Sequence, residues 1–514
     1  MIVFTSFSLL MTGCGKDGET KESTVDSTTI AAYVDEDSIE KTKIELSDKD
    51  IRVDGEVIGT DMNSDVYMAK DIVYYEEGKD FTYGEGTEED VHSAEEAAAH
   101  TVVHITQPGT YELSGSLSAG QIAVDLGEGA ESDPNAVVTL ILNNVDIHCS
   151  VAPAVIFYNV YECGTSDEAT ATKDVDTSAA GANVIIADGS ENNIYGSYVA
   201  RIYKSVELND EGTEVVDSKK LHKYDAAFYS KMSMNVNGDK DDTGVLNIKA
   251  ENEGLDTELH LTINGGNINI ESGNDGINTN EDYVSVTTVN SGTLKIRVTG
   301  STGEGDGIDS NGWLVINGGR VIAEACGFSA DAGIDSDMGI HINGGMVIAT
   351  GNMLDFISGS TQNYVVMNFA ENQKGGSTYT LKSSEDKAIL DYKPENDFSY
   401  LFYSSADLKE GTYTFWKDDT QLEAGSGEGM NGGFGGPGGM MPGGMEMPEG
   451  MERPEDMEFP EGMERPEDME FPEGMEWPED MKRPNGVDQM LGEVSKEFNI
   501  KAGGSYFTGV TKVE

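Results

Sequence analysis

Acidic side chains recur in the middle of this chain at spacings that could bring them together. Four tetrapeptides share one pattern: Gly254-Leu255-Asp256-Thr257, Gly276-Ile277-Asn278-Thr279, Gly307-Ile308-Asp309-Ser310 and Gly333-Ile334-Asp335-Ser336. Aligned on the Gly-Ile/Leu pair, they generate three columns. The first holds Glu253, Asp275 and Asp306, with Asp331 one residue out of phase. The second is Asp256, Asn278, Asp309 and Asp335, and the third Glu258, Asn280, Asn311 and Asp337. Clustered carboxylates can act as a general acid and base, cage a cation, or be solvated charge on turns. Paired strands lie about 4.8 Å apart, and two carboxylates at that distance repel by roughly 3–4 kcal/mol at an effective dielectric of 20. Stacked acids therefore require a compensating feature. Interleaved Asn is one. A hard cation bridging the acids is another, and calcium fits best because it accepts oxygens from carboxylates, Asn side chains and carbonyls. The expected ligands are Glu253, Asp256, Asp275, Asp306, Asp309, Asp335 and Asp337. The alternative is that Asp and Asn simply suit the turns.

The columns have meaning only if the chain repeats. Asn-Gly or a variant recurs at Asn237-Gly238, Asn264-Gly265, Asn290-Ser291-Gly292, Asn317-Gly318 and Asn343-Gly344, in phase with the acidic motif. Leu261/Ile263, Thr287/Val289, Leu314/Ile316 and Ile340/Ile342 alternate before that turn; Ile268/Ile270, Leu294/Ile296, Val321/Ala323 and Val347/Ala349 alternate after it. Alternation gives each strand one buried face. Units this small cannot bury that face alone, so they stack, each strand pairing in parallel with its equivalent one coil later. The expected fold class is all-β, a parallel β-helix or solenoid, with less regular coils at Val138–Ile147 and Val184–Tyr195. Open solenoid ends template aggregation unless covered. Ser93-Ala94-Glu95-Glu96 before Ala97–Ala99 reads as a capping box opening a short helix, a candidate N-terminal cap.

Two further features bear on binding. Trp313 falls on the outward side of its strand, where an exposed ring is a platform for sugar stacking unless an insertion covers it. Asn278, Asn280 and Asn311 offer amides that could meet sugar hydroxyls. The formal charge of −61 excludes nucleic acid as a partner, because it repels phosphate, and favours multivalent cations. The seven His show no metal or triad spacing, and no G-x-S-x-G occurs.

Met1–Met11 is apolar, and Met11-Thr12-Gly13-Cys14 has the form of a bacterial lipobox, in which the Cys is lipidated. The expected organisation is a lipoprotein signal peptide at 1–13, a disordered tether at 14–50, the β-helix domain with its cap at 51–424, a low-complexity Met/Glu/Pro/Gly insertion at 425–487, and terminal strands at 488–514. Within the insertion Met451–Gly462 is repeated unchanged at Met463–Gly474; its Pro content excludes helix and inner strand, and its acidic load opposes collapse. Lipidation of Cys14 implies the extracellular face of the cell membrane, held by the lipid anchor. An exported chain permits disulfides, and Cys149–Cys163 would close a loop worth about 3 kcal/mol.

With these residues in place, the chain resembles a family of bacterial surface carbohydrate-binding proteins built on a right-handed parallel β-helix. The resemblance covers about Gly109–Gly351. It rests on Gly109–Gly115 (GTYELSG), on Leu140–Ile147 (LILNNVDI), and on the Asp-Gly-Ile and Ile-Asn-Gly-Gly repeats. It implies a right-handed coil, calcium, and non-catalytic binding of polysaccharide such as polygalacturonate or cellulose. The long inserts at Glu162–Gly181 and Ser205–Lys223 depart from the plain pattern. One alternative is a calcium-dependent polysaccharide lyase, an activity that on this architecture needs a Lys or Arg base. Arg297 stacks between Glu271 and Glu324 as a charge-paired rung, which leaves Lys295, between Asn269 and Ile322, as the candidate. Another is an adhesin or structural wall protein.

Overall fold

The computed structural model describes residues 40–427 and 494–513. The signal peptide, Cys14, most of the expected tether and nearly all of the 425–487 insertion lie outside the described residues. Within them the chain is all-β, with one α-helix at Ala94–Ala99 and a 3₁₀ turn at Ala130–Ser132.

Most strands between Thr42 and Ser360 join one of three parallel ladders. The first runs through Val138–Cys149, Ala182–Ile186, Met234–Gly238, His260–Ile263, Val286–Val289, Trp313–Ile316 and Gly339–Ile342. The second contains Glu191–Gly196, Val245–Ala250, Asn267–Ser272, Thr293–Val298, Arg320–Glu324 and Met346–Gly351. The third joins Thr101–Ile105, Gly120–Asp125, Val155–Asn159, Ala226–Ser230, Glu253–Thr257 and Ile277–Thr279, and ends on a bridge from Ile277 to Ile308. The alternating Ile, Leu and Val of all three ladders meet in a single core.

The Asn-Gly period has a physical cause. Asn264 donates its amide to Asn237 Oδ1, Asn290 to Asn264, Asn317 to Asn290 and Asn343 to Asn317, at 2.8–3.0 Å and separations of 27, 26, 27 and 26 residues. Each amide donates down and accepts from above, so every rung specifies its neighbour. The Gly after each turn is equally constrained. Gly319 has φ +75°, and a Cβ there would stand 2.8 Å from the Gly292 carbonyl oxygen.

Antiparallel strands flank the ladders, a way of blunting exposed edges. Val66–Ala69 pairs antiparallel with Thr101–Ile105, and Arg52–Val53 with Thr42–Leu46. Helix Ala94–Ala99 carries the expected capping box, with Ser93 and Glu96 each bonding the other's backbone, and sends Ala97 into the core. At the other end Phe398–Ser405 runs antiparallel to Met346–Gly351.

Three expectations need correction. Thr42–Leu46, placed in the tether, is a strand in parallel register with Gly109–Leu117, because its alternating Ile44 and Leu46 are buried. The described residues from Tyr364 onward do not continue the three parallel ladders. They form a mostly antiparallel unit with its own aromatic core around Tyr379, Phe398, Phe415 and Phe498, and strand Thr420–Gly427 runs into the expected insertion. Cys149 and Cys163 are free thiols. Cys149 is buried where the second ladder begins, whereas Cys163 stands beside Ser233, just before a first-ladder strand.

Replacing Asn290 with Ala removes one donated and one accepted rung bond. The expected cost is about 2 kcal/mol, read as a lowered denaturant midpoint. A midpoint equal to the parent's would show that the amide ladder is incidental to stability.

Candidate functional site

The backbone register reproduces the acidic columns. Gly254 N donates to Asp275 O, Gly276 N to Asp306 O and Gly307 N to Ala332 O, at 2.9–3.0 Å, so the four Gly-Ile/Leu pairs lie one above another. Leu255, Ile277, Ile308 and Ile334 of the four motifs point into the core, and the acids flank them.

At the upper end the acids are not on an open face. Asp256 is 0% exposed, Glu253 5% and Asn278 8%. Beside them, strands Val199–Leu208 and Val215–Tyr224 form an antiparallel hairpin. It brings Lys220 to Glu258 at 3.0 Å and Lys223 to Asp225 at 2.6 Å. Asp225 in turn joins Glu253 and Asp256, and among the described residues these three form a group whose oxygens lie within 4.8 Å of one another.

The surroundings only partly neutralise this group. Asn280 donates to both Asp256 oxygens at 2.9 and 3.0 Å, and Asn278 to Glu253 Oε1 at 3.3 Å. Glu253 Oε2 and Asn278 Oδ1 are buried without a partner. Burial, then the charges of Asp256, Asp225 and Asp275, pushes Glu253 well above the usual carboxylate range. Burial, then Asp225 and Glu258, does the same to Asp256. Burial also raises Asp225, against the pull of Lys223. Three buried carboxyls facing one ammonium must either hold protons or receive further positive charge. The all-oxygen donor set, with an orphaned carboxylate oxygen and an orphaned amide oxygen, suits a hard divalent cation.

Lower in the columns the acids are bonded to backbone instead. Asp275 Oδ1 accepts from Asp306 N at 2.7 Å, and Asp306 Oδ1 from Ala332 N at 2.6 Å. Burial is again the leading cause that lifts Asp275 to about 7, Asp309 to about 8 and Asp335 to about 6, with neighbouring acids adding to it. Asp337 is exposed, and burial of its carboxyl with the nearby Asp282 raises it more modestly.

The candidate sugar contacts are placed differently from their expected roles. Asn280 and Asn278 are occupied with carboxylates, and Asn311 donates to Asn280 O and Asp282. Trp313 lies in register with Val286, which lies in register with His260, and is half-buried. His260 is covered, with Gly164 of the Glu162–Gly181 insert against its ring. Thr177 of the same insert bonds Asn235 and Thr262 at 2.7 Å, so this insert lies along the first ladder's outer face.

The second ladder carries an open cleft of about 420 Å³ on its outer face, lined by Tyr195, Lys249, Asn269, Lys295 and Arg297 among others. Lys295 pairs with Glu395 at 3.1 Å; Arg297 pairs with Glu271 at 2.6 Å and Glu395 at 3.5 Å. Glu324, the other expected partner of Arg297, is buried and accepts from Tyr392 Oη and from the Glu395 and Asn396 backbone.

A family model described as carbohydrate-binding domain-containing protein matches residues 99–389. The chain belongs to that family. Comparison with curated proteins gives no match. Among solved structures, the polysaccharide lyase-like protein from C. thermocellum, as a gadolinium derivative, is 18% identical, with 63% of this chain and 93% of that one covered at a TM-score of 0.33. The matched family span contains the acidic columns, the hairpin and the five cleft residues named above.

Three site residues, Asp225, Lys223 and Glu395, escaped the motif alignment, Lys223 because it lies in the non-repeating hairpin. Asp225 precedes the strand in which Ala227-Phe228-Tyr229 stands where later strands have Gly-Ile/Leu-Asp/Asn, as the pairing of Phe228 with Leu255 shows. Ladder register sets Ala226 opposite Glu253, so Asp225 stands one residue out of phase with the first column, as Asp331 does. Glu395 comes from the antiparallel unit and carries no repeat signal.

Asp275, Asp309 and Asp335 titrate higher in the folded protein than in the unfolded chain, so between about pH 4 and pH 8 the folded state binds more protons. Stability should fall as pH rises through that window in chelator-treated protein. The melting temperature is expected to drop from pH 5 to pH 8, less steeply in Asp309→Asn. A melting temperature that rises across the window would contradict the buried-acid reading.

Proposed function

We propose that this protein is a polysaccharide-binding lipoprotein of the cell surface, anchored through Cys14, whose three ladders are the faces of a right-handed parallel β-helix. Family membership supports carbohydrate binding in general. The parallel registers recurring every 26 or 27 residues support the β-helix, and the resemblance supplies its hand. Binding, not bond cleavage, is the favoured activity. The lyase alternative gains nothing from Lys295, which is tied to Glu395, or from Arg297, whose guanidinium is held by two carboxylates.

Calcium is the proposed ion, and the observation that carries it is the buried group of Asp225, Glu253 and Asp256 with its unpartnered Glu253 Oε2. When bound there, a divalent cation would supply the positive charge that one Lys223 ammonium cannot. Asn278 Oδ1 is a further available oxygen. Asp275 and Asp306 are proposed to serve mainly as backbone acceptors between coils, with Asp309, Asp335 and Asp337 as sites for weaker ions. The bound glycan would be an acidic or plant-wall polysaccharide.

Calorimetric titration of chelator-treated protein with calcium should show binding that weakens at least tenfold in the Glu253→Gln, Asp256→Asn double variant. It should also restore melting temperature most at pH 8, where fewer protons compete. Sedimentation with insoluble cellulose and polygalacturonate tests the glycan. Calcium titration without heat in the parent would remove the ion, and failure to co-sediment with any polysaccharide would remove the function.

A further inference from the structure

We propose that the cleft on the second ladder binds an acidic oligosaccharide directly, the carboxylate of one residue on Lys295 and Arg297 and another ring of the same chain against Tyr195, with no metal bridge. This rests on the polysaccharide-binding reading and names the place and the chemistry.

The cleft floor is built from two outward columns. One is Asn193, Asn247, Asn269 and Lys295 in successive strands. Its amides are chained, Asn247 donating to Asn193 at 3.0 Å and Asn269 to Asn247 at 2.9 Å. Each amide has a second N–H, and Asn269 Oδ1 heads the chain; these are donors and acceptors of the kind sugar hydroxyls use. The other column is His148, Tyr195, Lys249, Glu271 and Arg297. Tyr195 is 39% exposed, and its ring lies 5.8 Å from that of His148. An exposed aromatic beside a polar strip is a surface on which a pyranose can lie. From Tyr195 to Arg297 is three strand steps, roughly 14 Å, room for a short run of sugar rings.

The charge is what selects the sugar. The chain carries −61 overall, whereas Lys249, Lys295 and Arg297 gather here, ion-paired with Glu271 and Glu395 and with the buried Glu324 in register beside Arg297. Glu271 is shared by Lys249 and Arg297 from within the ladder. Glu395 is different. It reaches in from the antiparallel unit, its side chain is 53% exposed, and it contacts both Lys295 and Arg297. Its carboxylate occupies the position a sugar carboxylate would take. Arg297 and Lys295 are therefore preorganised around a carboxylate, and a guest that displaces Glu395 inherits its ion pairs. Cellulose offers no such group, so the cleft favours a uronate over a neutral glucan.

The test is calorimetry of the whole protein with trigalacturonate and with cellotriose, in EDTA. Trigalacturonate should bind and cellotriose at least tenfold more weakly. Arg297→Gln and Tyr195→Ala should each weaken trigalacturonate at least tenfold. Glu395→Gln should tighten it several-fold by removing the internal competitor, an effect that damage to the fold cannot produce. Unchanged affinity in Arg297→Gln and Glu395→Gln, with binding retained, would place the glycan elsewhere and overturn this proposal alone. Equal affinity for cellotriose would overturn the carboxylate recognition. If polysaccharide binds only with calcium, direct recognition falls while the calcium-dependent reading stands; if nothing binds under either condition, both fall.

Discussion

In-register parallel stacking governs everything else in this molecule. When each strand pairs with its equivalent one repeat later, like residues meet at the spacing of a β-ladder. Residues that bond to copies of themselves gain from this, and Asn does so best, since its amide both donates and accepts. The chain from Asn237 to Asn343 is that gain realised. Residues that repel their own copies lose by the same geometry, and the Asp and Glu columns are that loss. One constraint thus stabilises one edge of the repeat and concentrates unfavourable charge at another.

The acidic columns are accommodated by more than one device. Asp275 and Asp306 each take a backbone N–H from the next repeat, so their charge faces a fixed dipole. Asp256 takes both bonds from Asn280. The group at Asp225, Glu253 and Asp256 is the remainder, in which Lys223 pairs with Asp225 and one carboxylate oxygen, Glu253 Oε2, has no partner. A buried polar atom left over in an otherwise bonded network marks where a ligand belongs.

The antiparallel unit has a second effect beyond covering an edge. Glu324 is buried and accepts from Tyr392 and two backbone N–H groups of the unit, while Asn396 donates to Val298 O and Ala325 O at 2.6 and 2.8 Å. These bonds seat the loop that carries Glu395 at the rim of the cleft. The cationic strip at Lys295 and Arg297 is thereby given a carboxylate from a part of the chain about a hundred residues away.

What the amino-acid sequence determined by itself was the repeat: its period, the inward Ile and Leu, and which acid stands over which. These follow from local periodicity and from neighbours one turn apart, so Asp256 over Asn278 and Lys295 between Asn269 and Ile322 were readable from spacing alone. Tertiary structure decided whether each column faces water. Asp256 is buried beside Asp225, which a non-repeating hairpin pairs through Lys223, and His260 is covered because the Glu162–Gly181 insert lies against it. It also supplied Asp225, Lys223 and Glu395, and it kept Cys149 apart from Cys163. None of these carries a periodic signal. An insertion's docking is set by the surface it meets, and that surface exists only once the parallel ladders have formed.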